Sequence, residues 1–185
     1  EIIMKPRYLL LPILLIYSIN ASANGYLGFS FGNSSVKADL TSLGGGSIDE
    51  STGMNKFYGG YRFNKYVSFE AAWFNLASVS VAQVGSGPSA VSGSVDMSAL
   101  GIYGVAFVPL AKRTHFLVKA GGASWDADLQ RNTTTATADG FDAFYGLGLS
   151  YGFTKNLAVT ADWEVIDSPN PEFSTFSLGF KWAFK

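Results

Sequence analysis

Cysteine is absent from this 185-residue chain, so disulfide frameworks, thiolate metal sites and cysteine nucleophiles are excluded. Histidine occurs once, at His115, which leaves a single imidazole for any acid–base chemistry. Charge is scarce too, at 15% of residues with a formal net charge of −1, so there is no basic footprint and nucleic acid is not expected as a partner. Asp49, Glu50, Trp125, Asp126 and Asp128 could bind a partner or calcium, but their spacing fits no dedicated ion loop, so a solvated surface is expected there and no metal or cofactor. Beyond the first two dozen residues there is no long apolar run, and helix periodicity is hard to find.

What the chain has in quantity is hydrophobic residues (48%), aromatics (15%) and 21 glycines, spread without an internal shift, which suits one domain. The one continuous apolar stretch, Tyr8 to Tyr17, follows Lys5 and Arg7 and precedes Ala21-Ser22-Ala23. About ten apolar residues fall short of the roughly 20 that cross a bilayer, and the basic end, apolar centre and small residues read as a secretory signal peptide. Residues 1–23 are therefore expected to be removed, with Met4 as initiator and residues 1–3 an upstream extension, leaving 24–185 as the mature domain. Removing Glu1, Lys5 and Arg7 from 14 acids and 13 bases leaves 13 and 11.

From Asn24 onward the dominant period is two, the mark of strands with a different solvent on each face. Leu27, Phe29 and Phe31 alternate with Gly28, Ser30 and Gly32; Phe57, Gly59, Tyr61 and Phe63 with Tyr58, Gly60 and Arg62; Val67, Phe69, Ala71 and Trp73 with Ser68, Glu70, Ala72 and Phe74. A fourth strand, roughly 95–108, sets Tyr103, Val105 and Phe107 on one parity whose facing the pattern leaves open. The fifth runs from His115 to Trp125 with Lys119 and Gly121 on its small or polar face. The sixth alternates from Phe141 to Phe153, the seventh sets Leu157 to Val165 against Ala158, Thr160, Asp162 and Glu164, and the eighth sets Phe176 to Phe184 against Ser177, Gly179 and Lys181. The expected fold is all-β: an eight-stranded antiparallel up-and-down transmembrane β-barrel.

Short turns at 64–66, 109–114 and 154–156 alternate with long polar segments at 33–53, 77–94, 126–140 and 167–172. Glycine- and serine-rich stretches such as Gly44-Gly45-Gly46-Ser47 and Gly85-Ser86-Gly87-Pro88 make the long segments read as loops. Outer-membrane barrels keep short turns in the periplasm and long loops outside, so both termini are expected in the periplasm. Arg62, Glu70, Lys119, Asp162, Glu164 and Lys181 share the parity of glycine, alanine and serine. A Lys or Arg facing lipid at mid-bilayer costs about 2–4 kcal/mol, so these six are expected to face the lumen as a charge network. Within it, Lys119 is expected to pair with Asp162, and Glu70 with Arg62 or Lys181.

Two segments carry a family resemblance. Gly60-Tyr61-Arg62-Phe63-Asn64-Lys65-Tyr66-Val67-Ser68-Phe69-Glu70 and Ser177-Leu178-Gly179-Phe180-Lys181-Trp182-Ala183-Phe184 resemble strands two to three and the closing strand of the OmpA-like family of small outer-membrane barrels. The resemblance implies contact with outer-membrane lipid and lipopolysaccharide, a monomer, and Phe184 as the signal read by the barrel-insertion machinery. It also implies a lumen ion-pair network, on which Glu70, Lys119 and Asp162 fall; Thr160 stands where the family's gating arginine would be and Ser150 replaces a glutamate, so the gating switch is not expected. The cell-wall-binding domain of longer members is not expected after Lys185.

The expected role is structural or surface-interacting: a rigid barrel displaying four extracellular loops to a host or envelope ligand, its lumen filled by paired charges. A narrow solute pore is the alternative. A lipid-modifying enzyme would rest on His115 alone, on the wrong side of the membrane, so no catalytic residue is assigned. A soluble lipocalin-like carrier would reverse the observed parity. Asn33-Ser34-Ser35 and Asn132-Thr133-Thr134 match the glycosylation pattern, incidentally in a bacterial loop.

Overall fold

The structure, a computed structural model, describes residues 24–39, 47–76, 79–84, 91–131, 134–168 and 172–184. The expected signal peptide, the glycine runs at 44–46 and 85–88 and Asn132 lie outside the described residues. Among the described residues nine strands follow in order: β1 (Gly25–Asp39), β2 (Ser47–Arg62), β3 (Val67–Asn75), β4 (Val79–Val84), β5 (Val91–Pro109), β6 (Thr114–Arg131), β7 (Thr134–Gly152), β8 (Leu157–Asp167) and β9 (Glu172–Ala183). Every pairing is antiparallel; most join sequence neighbours, while β1 pairs with β9 and β3 with β5, so the sheet closes on itself. Past Asn75, which faces Ser98, β4 resumes pairing with β5 at Val79–Val95, and β3 with β4 makes one stave of an eight-stranded barrel.

The period-two pattern maps onto the two faces of the wall. Phe31, Phe57, Trp73, Leu147, Trp163 and Phe180 are exposed on the outside, while Ser30, Lys56, Glu70, Lys119, Asp162 and Glu164 are buried within. Cross-strand rings reinforce the outer face, with Phe29 and Phe57 centroids 4.7 Å apart and Phe57 and Trp73 at 6.2 Å. In β5, where both parities are apolar and alternation could not decide, Tyr103, Val105 and Phe107 face inward and Leu100, Ile102 and Val108 outward. The lumen is thus richer in large rings than the small-or-polar expectation: Tyr103 stacks on Phe144 at 4.3 Å and 22°, with Phe74 beside it at 5.8 Å.

One end is closed by tight turns held by side chains. Asn64 Oδ1 accepts from the Tyr66 and Val67 amides at 2.8 and 3.0 Å, and Thr154 Oγ1 accepts from those of Asn156 and Leu157 at 3.2 and 2.9 Å. At the other end the strands run further than expected, since residues 33–39, 47–53, 79–84, 91–94, 126–131 and 134–140 continue the ladders rather than forming loop. In these segments both parities are mostly small or polar, so pairing continues while the alternation that betrays it fades.

Candidate functional site

β8 supplies two acids in succession on its inner face, Asp162 and Glu164, because alternate residues of a strand share a face. Their neighbours across the ladder are Gly148 and Gly146 of β7, and a Cβ on Gly148 would collide with Asp162 Oδ1. The missing side chains leave the acids room to lie within the lumen. Two cations reach them from other staves: Lys56 of β2 and Lys119 of β6. Lys56 Nζ donates to Glu164 Oε1 and Oε2 at 2.7 and 2.8 Å and lies 3.6 Å from Asp162 Oδ2. Lys119 Nζ donates to Glu164 Oε1 at 2.8 Å and sits 2.9 Å from Asp162 Oδ1. All four side chains are at most 2% exposed, so the quartet is a desolvated, charge-neutral cluster with Glu164 as its hub.

Nearer the turns the charges are held differently. Glu70 Oε1 accepts from the Tyr26 hydroxyl at 2.6 Å, and Tyr26 also meets Ser68 Oγ at 2.7 Å. The expected partners of Glu70 do not pair with it: among the described residues neither Arg62 nor Lys181 comes within 4.0 Å of a carboxylate. The reason is Gly60, which lies between Tyr26 and Glu70 in register; a Cβ there would meet the ring tip of Tyr26, and its absence lets the tyrosine cross to Glu70 first. Arg62 instead lies over Phe107, Cζ 4.0 Å from the ring centroid, and Lys181 Nζ lies 4.8 Å from the same centroid and 5.2 Å from that of Tyr26. His115 meets Phe107 edge-on at 6.2 Å.

Near the far mouth, Trp125 Nε1 donates to Asp142 Oδ2 at 2.6 Å and the indole packs on Phe173. Trp125 is therefore buried in the lumen rather than open to partners, while Asp126 and Asp128 are exposed. All six charged residues singled out from sequence have inward parity, Arg62 being half-buried and the others buried. Lys56 shares parity with Tyr58, Gly60 and Arg62 but stands just ahead of Phe57, where the apolar alternation begins, so the sequence pattern does not reach it. Phe184 follows β9, its amide donating to the Gly25 carbonyl at 2.8 Å.

A closed antiparallel barrel with rings facing out and buried ion pairs facing in belongs to the class of membrane-spanning β-barrels. Residues 9–184 match the family model described as the outer membrane protein beta-barrel domain, and the chain belongs to that family. It is an outer-membrane β-barrel protein, which places it in the outer membrane of a Gram-negative bacterium. Among solved structures it is similar to Neisserial surface protein A (14% identity, TM-score 0.66, covering 86% of this chain and 97% of that one). It is similar to Ail, the attachment invasion locus protein of Yersinia pestis (15%, 0.61, 89% and 100%), and to the N-terminal barrel of Pseudomonas aeruginosa OprF (14%, 0.57, 88% and 100%). At such identities the likeness is one of fold. No curated protein sequence matches the chain.

Proposed function

We propose that the mature protein, residues 24–185 after removal of a signal peptide, is a non-enzymatic, monomeric surface-interaction barrel with both termini in the periplasm and a lumen closed by its charged side chains. The observation that carries this reading is the asymmetry of the two ends: tight turns at one, and at the other strands that run on past the apolar band to Asp39, Ser47, Val84, Val91, Arg131 and Thr134. That end offers backbone as well as side chains, since β2 over residues 47–54 and β4 each lack a ladder partner on one edge among the described residues. Lipid and lipopolysaccharide surround the outer face, and Phe184 is the element the insertion machinery would read.

Ail has been solved with sucrose octasulfate, a heparin analogue. The extracellular end proposed here is acidic, with Asp39, Asp49, Glu50, Asp96, Asp126, Asp128, Asp139, Asp167 and Glu172 against Lys37 and Arg131, which favours a neutral or basic ligand over a polyanion. Closure of the lumen is supported by the neutral quartet and the Tyr103–Phe144 stack that fills the space around it.

The test has two arms. Cysteine labelling of whole cells at position 128 and at Lys155 should mark 128 only, and labelling at 155 instead would overturn the orientation. In planar bilayers the wild-type barrel should show no steady conductance; large, steady currents would replace the plugged reading with the pore.

A further inference from the structure

Across the lumen the charges do not balance evenly along the axis. The quartet of Lys56, Lys119, Asp162 and Glu164 is neutral, whereas the turn-side group sets Arg62 and Lys181, with His115 beside them, against Glu70 alone. Glu70 accepts from the Tyr26 hydroxyl on Oε1 only, and its Oε2 is buried with no hydrogen-bond partner among the described residues, so one carboxylate charge faces two cations. Among the described residues Lys181, only 7% exposed, makes no ion pair, and Arg62 Nε is buried with no hydrogen-bond partner. Both cations lie within 5 Å of the single Phe107 ring, at 4.0 and 4.8 Å. A cation–π contact offsets part of the desolvation of a cation but supplies no counter-charge and satisfies no N–H donor.

The approach to this group is cationic as well. The turns carry exposed Lys65, Lys112, Arg113 and Lys155, and the residues 63–66, 110–113 and 153–156 include no acid. Such a rim raises the local concentration of anions at the mouth. A planar guanidinium with a free donor beside an ammonium is the donor set that holds a tetrahedral oxyanion.

We infer that the turn-side mouth of the lumen is an oxyanion site, in which Arg62 and Lys181, with His115 at its edge, bind a small phosphate-type anion. The site lies inside the strand ladder, away from the headgroups of the surrounding leaflet, so its occupant is a free anion rather than a lipid. The inference goes beyond the proposed surface role and depends on the proposed orientation only for the compartment, the periplasm, from which the anion enters.

Inorganic phosphate is the probe. Titrated at low ionic strength into the detergent-folded barrel, it should bind saturably and shift the backbone amide resonances of Arg62, Phe107, His115 and Lys181. Arg62→Gln and Lys181→Gln, each checked for folding by its faster migration unboiled, should weaken binding about tenfold or more, and Lys37→Gln at the opposite end should not. Absence of saturable binding, shifts confined to other residues, or unchanged affinity in the two folded variants would each overturn the site. Because the amide shifts are read on the wild-type protein, the result stands even if a variant fails to fold, and the labelling experiment tests the orientation separately.

Discussion

In the middle of the lumen Lys56 and Lys119 meet Asp162 and Glu164 at 2.7–3.6 Å, whereas nearer the turns Arg62 and Lys181 lie against ring faces and, among the described residues, come within 4.0 Å of no carboxylate. Both groups occupy the same narrow space and are built from the same residue types. The difference comes from register. β8 offers two acids on successive inward positions opposite glycines, so two lysines from distant staves can converge on them; on the turn side Tyr26 crosses Gly60 and takes the one acid. A buried pair that loses one member is left with an uncompensated charge, while a cation that never had a partner has nothing of that kind to lose.

That contrast can be broken most severely at the hub. Glu164→Ala leaves Lys56 with only the 3.6 Å contact to Asp162, and should destabilise the barrel by about 3–5 kcal/mol in urea unfolding from lipid vesicles. Lys119→Ala removes one of the two cations and should cost on the order of 3 kcal/mol, less where water enters the lumen. An unchanged midpoint for both variants would mean that the quartet is solvated rather than desolvated.

Gly60→Val should sharpen the register argument. The new side chain would displace the Tyr26 ring tip, at a cost of about 1–3 kcal/mol for overpacking, and free Glu70 for Arg62 or Lys181. Restored affinity of Glu70 for either cation would appear as weaker phosphate binding in the same variant. The smallest effect is expected from Lys181→Met: loss of a cation–π contact opposes relief of desolvation, so the midpoint should stay within about 1 kcal/mol of wild type. A drop as large as that of Lys119→Ala would show that Lys181 has a partner after all.

Sequence alone determined the architecture, because a wall with lipid on one side and a packed polar lumen on the other imposes period two on every stave. Leu27 to Phe31, Phe141 to Phe153 and Phe176 to Phe184 carry that signal without help from any partner strand. It also assigned Arg62, Glu70, Lys119, Asp162, Glu164 and Lys181 an inward parity, though not Lys56, which precedes the apolar alternation of its strand. Where both faces of a strand share one solvent, parity falls silent. This happened in β5, whose two parities are both apolar, and in the outer ends of β1, β2, β6 and β7, whose two parities are both mostly small or polar. Lys119 and Asp162, paired on parity, lie 2.9 Å apart, but that Lys56 joins them, that Glu164 is the hub and that Tyr26 meets Glu70 was decided only in the closed barrel. The distance from Lys56 to Glu164 spans 108 positions of chain, and it is fixed by how the staves register around the ring, by the glycines that let Tyr26 and Asp162 lie flat, and by the width of a lumen that eight strands enclose.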